Sequence, residues 1–244
     1  MKIGIISDIH SNLESLQSAI KFLEKNKIDK ILICGDIVGY GPDPNECINL
    51  VLESADIILK GNHEDGILRK DYSRFKKYAG ITLEWTAKEI EEKIEQIERW
   101  GEKKEIEDLF FVHASITDPY YKYIFNIMAA KEEFKKLEKR ICFVGHTHIP
   151  VIFRKNIETE NIEKIQVDFS GKIEIEIEEN FKYIINVGSV GFPRDGLPFS
   201  CVSIYDTSKK IFKLDRIEYE IEKTIKKILE KGLPSKICSF LKGL

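Results

Sequence analysis

Short apolar runs alternate with amphipathic helical patterns through the first half of this chain, and that rhythm restricts the fold more than any other feature. KIGIIS reads as a strand, and Asn12 then reads as the cap of a helix, LESLQSAIKFLEKN. KILIC is the next strand, followed by the Gly/Pro-rich turn GYGPDPN and the helix ECINLVLESA. DIILK is the third strand and runs into GNHED. LFFVHAS and ICFVGHTH bring strands back, separated by the helix AAKEEFKKLEKR. Residues 66–105 lose the strand rhythm and read as a helical insertion. Its clearest part is EWTAKEIEEKIEQIERW, with Trp85, Ile90, Ile94 and Ile97 as a buried stripe and its charges in solvent.

The second half changes character. VIFRK, IEKIQVDF, KIEIEIEE, YIINVGS, FSCVSIYD and KIFKLDRIEY are alternating or β-rich runs with short connections, as antiparallel hairpins require. Charged helical patterns close the chain over 220–244. The whole reads as one domain, a two-sheet α/β sandwich with strand–helix alternation first and a meander later. A length of 244 residues suffices for one large core.

All five histidines lie at the ends of apolar runs. His10 follows MKIGIISDI, His63 follows ADIILKGN, His113 follows LFFV, and His146 and His148 follow ICFVG. Core histidines would scatter over faces and helices. In an extended backbone His146 and His148, at i and i+2, would point the same way about 6–7 Å apart. Ligands of open α/β sheets gather beyond the carboxyl ends of the strands. The residues just past successive strands here are Asp8 and His10, Asp36, Asn62 and His63, His113, then His146 and His148. Each has an ordinary reading in isolation, such as a turn, a cap or a hydrogen-bonded core histidine. Together they supply more nitrogen and oxygen donors than one four-coordinate metal uses. They suit two ions sharing a carboxylate, and the mixed imidazole–carboxylate set favours Mn, Fe, Zn or Co over an all-oxygen Mg or Ca site. Two such ions clamp the oxygens of a phosphoryl displacement and acidify a bound water.

SDIHSN, GDIVGYG, GNHE, VHAS and GHTH, in that order, resemble the five motif blocks of the calcineurin-like metallophosphoesterase superfamily, over Met1 to about Asp195. GDIVGYGPDPNE and NVGSVGFPRDG further resemble its small prokaryotic members, described as diadenosine-tetraphosphatase-like, phosphodiesterase-like or protein-phosphatase-like. The resemblance implies a four-layer α-β-β-α sandwich of two mixed sheets. It implies one ion on Asp8, His10 and His148, a second on Asn62, His113 and His146, and Asp36 bridging them. His63 would be an unligated general acid, with Glu64 as an orienting partner. Asn12, Tyr40 and Arg194 are candidate substrate contacts. Tyr40 also reads as an ordinary packing aromatic, and PRDG around Arg194 and Asp195 as a plain turn.

The expected reaction is hydrolysis of a phosphomonoester, phosphodiester or dinucleoside polyphosphate, with a phosphoprotein as the competing substrate. A scaffold on the same fold would have lost ligands or the acid, and this chain retains all of them. A nuclease would need a basic track, for which FKKY at 75–78 is short. A formal net charge of −3 offers no general attraction to nucleic acid or anionic membrane, and no apolar stretch approaches a membrane span. The odd number of scattered cysteines, at 34, 47, 142, 201 and 238, points to a reducing cytoplasm without disulfides. The Lys, Glu and Ile bias fits a thermophile or an AT-rich genome equally. A homo-oligomer is compatible with the sequence but not derivable from it. The insertion at 66–105 carries Arg69, Lys70, Arg74, Lys76, Lys77 and Tyr78, and reads either as a cap over the metal site or as an outer helical pair with those charges in solvent.

Overall fold

The computed structural model describes residues 1–167 and 170–243. β1 (Lys2–Ile6), β2 (Lys30–Cys34) and β3 (Ile57–Leu59) are parallel, with α1 (Leu13–Lys25) and α2 (Pro44–Ser54) as the intervening helices. α1 forms because Leu16, Ala19, Ile20 and Leu23 fall on one buried stripe. It starts where it does because the Asn12 side chain accepts the Ser15 N–H. α3 (Asn62–Arg69), α4 (Lys77–Glu89) and α5 (Ile94–Glu98) follow, then β4 (Lys103–Ile106), β5 (Leu109–Val112), α6 (Ile127–Phe134) and β6 (Ile141–Val144). β7 (Val151–Asn156), β8 (Ile162–Gln166), β9 (Ile173–Glu176), β10 (Phe181–Asn186), β11 (Ser200–Asp206) and β12 (Ile211–Ile217) complete the strands. α7 (Ile221–Glu230) and α8 (Lys236–Leu241) close the chain.

The strands form two mixed sheets of six, ordered β3-β2-β1-β11-β12-β9 and β4-β5-β6-β10-β7-β8. Ile3, Ile5, Leu32 and Phe212 of the first sheet meet Phe111, Phe143, Tyr183 and Ile185 of the second in the central core. α1 and α2 cover the outer face of the first sheet, and α6 covers the second. Fully burying one such Ile or Phe contributes about 1.5–3 kcal/mol, so this layer carries much of the fold. The α-β-β-α sandwich is as expected, and so are the antiparallel hairpins β7–β8 and β11–β12.

Three local expectations are overturned. The later strands are not one meander. β10 inserts parallel to β6 in the second sheet, while β9, β11 and β12 join the first. Every residue of β11 is buried, because it is a central strand covered on both faces. The helix read over 84–105 is broken at Ile90, passes through a 3-10 turn at Glu91–Lys93, and gives way to β4. Of its expected stripe, Ile90 and Ile97 are buried and Trp85 and Ile94 half-buried. β4 escaped the pattern because it is a charged edge strand with only Ile106 turned partly inward. α3 begins at Asn62, ahead of the helical segment expected from residue 66, so Asn62 and His63 sit in its first turn. The last two residues of IEKIQVDF, 168 and 169, lie outside the described residues.

Candidate metal centre

The register of β1, β2 and β3 brings their carboxyl ends level, with Ile6 beside Ile33 and Ile33 beside Ile58. The chains leaving them stay laced together. Asp8 N donates to Gly35 O, His10 N to Asp36 O and Ser11 N to Ile37 O, at 3.0, 3.0 and 2.8 Å. The lacing holds an unusual backbone: Asp8, His10, Asp36, His146 and His148 all have φ between 49° and 64°. This left-handed region is unfavourable for residues bearing a Cβ, and such residues cluster where a site is over-determined by its surroundings. The expectation of an extended backbone at His146 and His148 is therefore wrong. Their imidazoles diverge to different donor groups because each residue reverses the chain locally.

Asp8, His10, Asp36 and His148 form one buried group, each offering a ligand atom within 4.8 Å of the others, and Asp36, His113 and His146 form a second. The Asp36 carboxylate belongs to both. Its Oδ2 lies 3.6 Å from His10 Nε2 and 3.4 Å from His113 Nε2, while its Oδ1 accepts the His63 N–H at 2.9 Å. Asn62 Oδ1 joins the second group, 3.1 Å from His113 Nε2. The Asp8 carboxylate accepts the backbone N–H of His146, which ties the two sheets at the rim.

The tautomers show what these groups fit. His10 Nδ1 faces Val38 O at 3.2 Å, His148 Nδ1 faces Phe192 O at 2.6 Å, and His113 Nδ1 faces Cys34 O at 2.7 Å. A carbonyl oxygen only accepts, so each Nδ1 carries the proton, and in the neutral rings of His10 and His148 the Nε2 presents a lone pair. Yet His10 Nε2 and His148 Nε2 stand 3.0 Å apart, lone pair against lone pair. Such an arrangement fits cations between the donors, and carbonyl partners on the far nitrogen are the usual support of metal-binding imidazoles. Burial, then neighbouring His63 and His148, hold the His10 pKa well below the usual range. Burial, then His113, pull His146 to about 3, and burial also lowers His148. His113 goes the other way. Burial opposes its protonation, but the Asp36 and Asp8 carboxylates and the Cys34 carbonyl raise it to about 9. The site attracts positive charge at that position.

Glu64 does not touch His63 as an orienting partner. Its fully buried carboxylate accepts four backbone N–H groups, from Gly61 at 2.7 Å, Ile37 at 2.8 Å, Asp36 at 2.9 Å and Val38 at 3.0 Å. It thereby pins the loop after β2 to the start of α3. Gly61 is required there because a Cβ would overlap the Asp36 carboxylate. Val38 O in turn accepts from both His10 Nδ1 and His63 Nδ1 (3.1 Å), so one carbonyl orients a donor and the candidate acid.

Beside the donors lies a cavity of about 490 Å³ that Asp36, Asn62, His63, His146 and His148 help to line. Tyr40 and Arg194 line it too, joined by a hydrogen bond from Arg194 Nη2 to Tyr40 Oη at 3.1 Å. Asp195 turns away to pair with Arg216, so the PRDG segment is more than a turn. Asn12 is not in the cavity: it is buried, caps α1, donates to Gly191 O and accepts from Thr224 Oγ1. From the 66–105 segment Arg74, Lys76 and Tyr78 reach the cavity wall, whereas Lys77 does not and Arg69 pairs with Asp65. Tyr121, Tyr123 and Phe125 line it as well, and sequence reasoning missed them. The available signal was the alternation of aromatics in YYKYIF.

Among the described residues no helix is long and apolar enough to cross a membrane. An uncharacterised protein of Methanocaldococcus jannaschii is 37% identical over 241 residues, covering 95% of this chain and 93% of that protein. The crystal structure of a metallophosphoesterase from Sphaerobacter thermophilus aligns with a TM-score of 0.88 at 33% identity, covering 100% of this chain and 99% of that one. A hypothetical protein from Pyrococcus horikoshii OT3 shares the fold, with a TM-score of 0.79 at 18% identity over 98% of this chain and 97% of its own. The sequence profile of the calcineurin-like phosphoesterase superfamily domain matches residues 1–210. With the match extending over most of the sequence and the likeness over the whole fold, the chain belongs to the calcineurin-like phosphoesterase superfamily and is a phosphoester hydrolase.

Proposed function

We infer that the chain hydrolyses a small phosphorylated molecule, a phosphomonoester, phosphodiester or dinucleoside polyphosphate, with two divalent transition-metal ions (Mn, Fe, Zn or Co) held by Asp8, His10, Asp36, Asn62, His113, His146 and His148. The observation that carries this reading is Asp36 Oδ2, placed between His10 Nε2 of one donor group and His113 Nε2 of the other. Bound there, two cations supply the charge that offsets phosphoryl oxygens and acidify water enough for attack near neutral pH. Asp36 anchors both groups and Glu64 fixes the loop that presents it.

His63 is the general acid in this reading. Its Nδ1 is committed to Val38 O, leaving Nε2 for the leaving oxygen. Burial first, then the nearby His148, His113 and Arg194, draw its pKa down to about 4 against the opposing pull of Asp36. A bound phosphoryl group brings further negative charge, so His63 takes up its proton together with the substrate. A cavity of about 490 Å³ favours a small molecule over a phosphoprotein surface. The segment 66–105 serves as a cap and α7–α8 as a brace on a single catalytic domain. The odd number and scattered spacing of the cysteines support placing the protein in a reducing cytoplasm.

The test compares Asp36→Asn with His63→Ala, by metal content and by turnover of an aryl phosphate with chelator and with added Mn. Asp36→Asn loses metal and rate together. His63→Ala keeps metal and loses about 10²–10⁴-fold in rate, less for a good leaving group. Undiminished turnover in metal-free protein rejects the reading, and metal loss in His63→Ala equal to that in Asp36→Asn rejects the role of His63.

A further inference from the structure

The connection from β5 to α6 places a ladder of rings beside the metal centre. In YYKYIF, Tyr120 and Ile124 turn inward and are buried, while Tyr121, Tyr123 and Phe125 face the cavity. Tyr123 stacks on the His146 imidazole at 4.1 Å and 23°, and Phe125 stacks on Tyr123 at 4.9 Å and 8°. The wall thus starts at a metal-binding imidazole and ends two rings out, at the rim. Tyr123 and Phe125 are 43% and 49% exposed, costly for large rings held in place without a partner.

They are held in place. Buried Ile124 anchors the strip between them, Asn126 caps α6 directly after it, and the Arg194 guanidinium lies close to Tyr123. Cations complete the cavity. The Arg74 guanidinium lies 4.5 Å over the Tyr121 ring, and Lys76 stands nearby on the wall. Arg69 is paired with Asp65, whereas among the described residues Arg74 and Lys76 form no ion pair. Flat rings in register with free cations match a ligand that is planar and aromatic at one end and anionic at the other.

We propose that Tyr123 and Phe125 are a stacking platform for a nucleobase, so that the substrate is a nucleotide-type phosphate whose base lies on Phe125 while its phosphate reaches the metal centre. The proposal rests on the phosphoesterase reading above and adds the substrate class and the residues that select it. Every base has a π-face, so the platform favours a base over none without choosing strongly among bases.

The test is calorimetric binding to the Mn-loaded full chain of two uncleavable phosphonates, the analogues of adenosine 5′-monophosphate and of ribose 5-phosphate, which differ only in the base. The base tightens binding by about ten-fold or more in the wild type, the scale of base–aromatic stacking. Phe125→Ala, at a half-exposed position that leaves the core intact, brings the two affinities within about two-fold, and Phe125→Trp keeps the preference. Equal affinities in the wild type, or an undiminished preference in Phe125→Ala, overturns the platform. Turnover of simple phosphate esters is measured alongside. Turnover without a base preference rejects the platform alone, and a base preference without turnover of any ester rejects the catalytic reading alone.

Discussion

Replacing Glu64 by Gln exchanges one carboxylate oxygen for an amide NH₂, the smallest change available at this position. Four backbone N–H groups converge on that carboxylate, two on each oxygen. Whichever way the amide turns, two of them face a donor. Each lost bond to a charged group is worth about 1.5–3 kcal/mol, so the loss is about 3–6 kcal/mol. That is a large share of the 5–15 kcal/mol that stabilises a typical domain. For a chain of this size each kcal/mol moves the midpoint by about 2–4 °C, which gives a fall in Tm of about 6–24 °C. Thermal unfolding in chelator, followed by circular dichroism, reads this directly. Metal titration of the same variant should show weakened binding, because either Asp36 N or Val38 N loses its anchor, and with it the orientation of Asp36 or of His10. Had Glu64 served only to orient His63, Gln would reduce rate and leave stability and metal affinity alone. A Tm within about 2 °C of wild type with unchanged metal binding refutes the clamp.

Metal-free protein should be most stable near pH 6.5. His113, raised to about 9, contributes stability that is whole below its ordinary pKa of about 6.5 and is lost as pH climbs through 9. His63 and His146, drawn to about 4 and about 3, stay neutral when the unfolded chain takes up protons, so stability also falls as pH drops below 6.5. Unfolding midpoints in chelator across pH 5–9 check this, and a monotonic profile over that range contradicts it. Asn12→Ala should cost about 2–3 kcal/mol, from a lost α1 cap and two further hydrogen bonds, with KM unchanged; a raised KM at wild-type stability would return Asn12 to the substrate site. Replacing Arg74 and Lys76 together by Ala should raise KM several-fold for substrates with more than one phosphate and spare a small monoester, while Lys77→Ala does neither. Equal kinetics in all three proteins would make the segment packing alone.

The donors were legible because chemistry and topology speak together at a strand end. A polar residue after an apolar run is placed by the strand before it, and five such ends converge on one rim whatever their loops do. Asp8, Asp36 and the histidines needed only that rule. What the pattern cannot carry is conformation inside the turn, so His146 and His148 were assigned an extended backbone that their φ values of 64° and 60° contradict. Glu64 was misread because adjacency to His63 in sequence suggests contact, whereas in α3 its carboxylate points back to the preceding turn. β4 was hidden because an edge strand needs little apolar content, and Lys103–Ile106 has one apolar residue. The aromatic wall lay in a connection without regular structure, where alternation goes unnoticed unless a strand is expected.

Only two of the seven donors, Asp8 and Asp36, carry negative charge. In the proposed reading, two divalent cations held there would leave an excess of about two positive charges, and Arg194 adds another at the cavity wall. Inside a buried rim that excess would be poorly screened, so a loaded site would draw in a dianion and stay positively balanced with one bound. Phosphate dianion suits such a site as well as any ester does. The same imbalance that would draw a substrate in would therefore also hold its phosphate product.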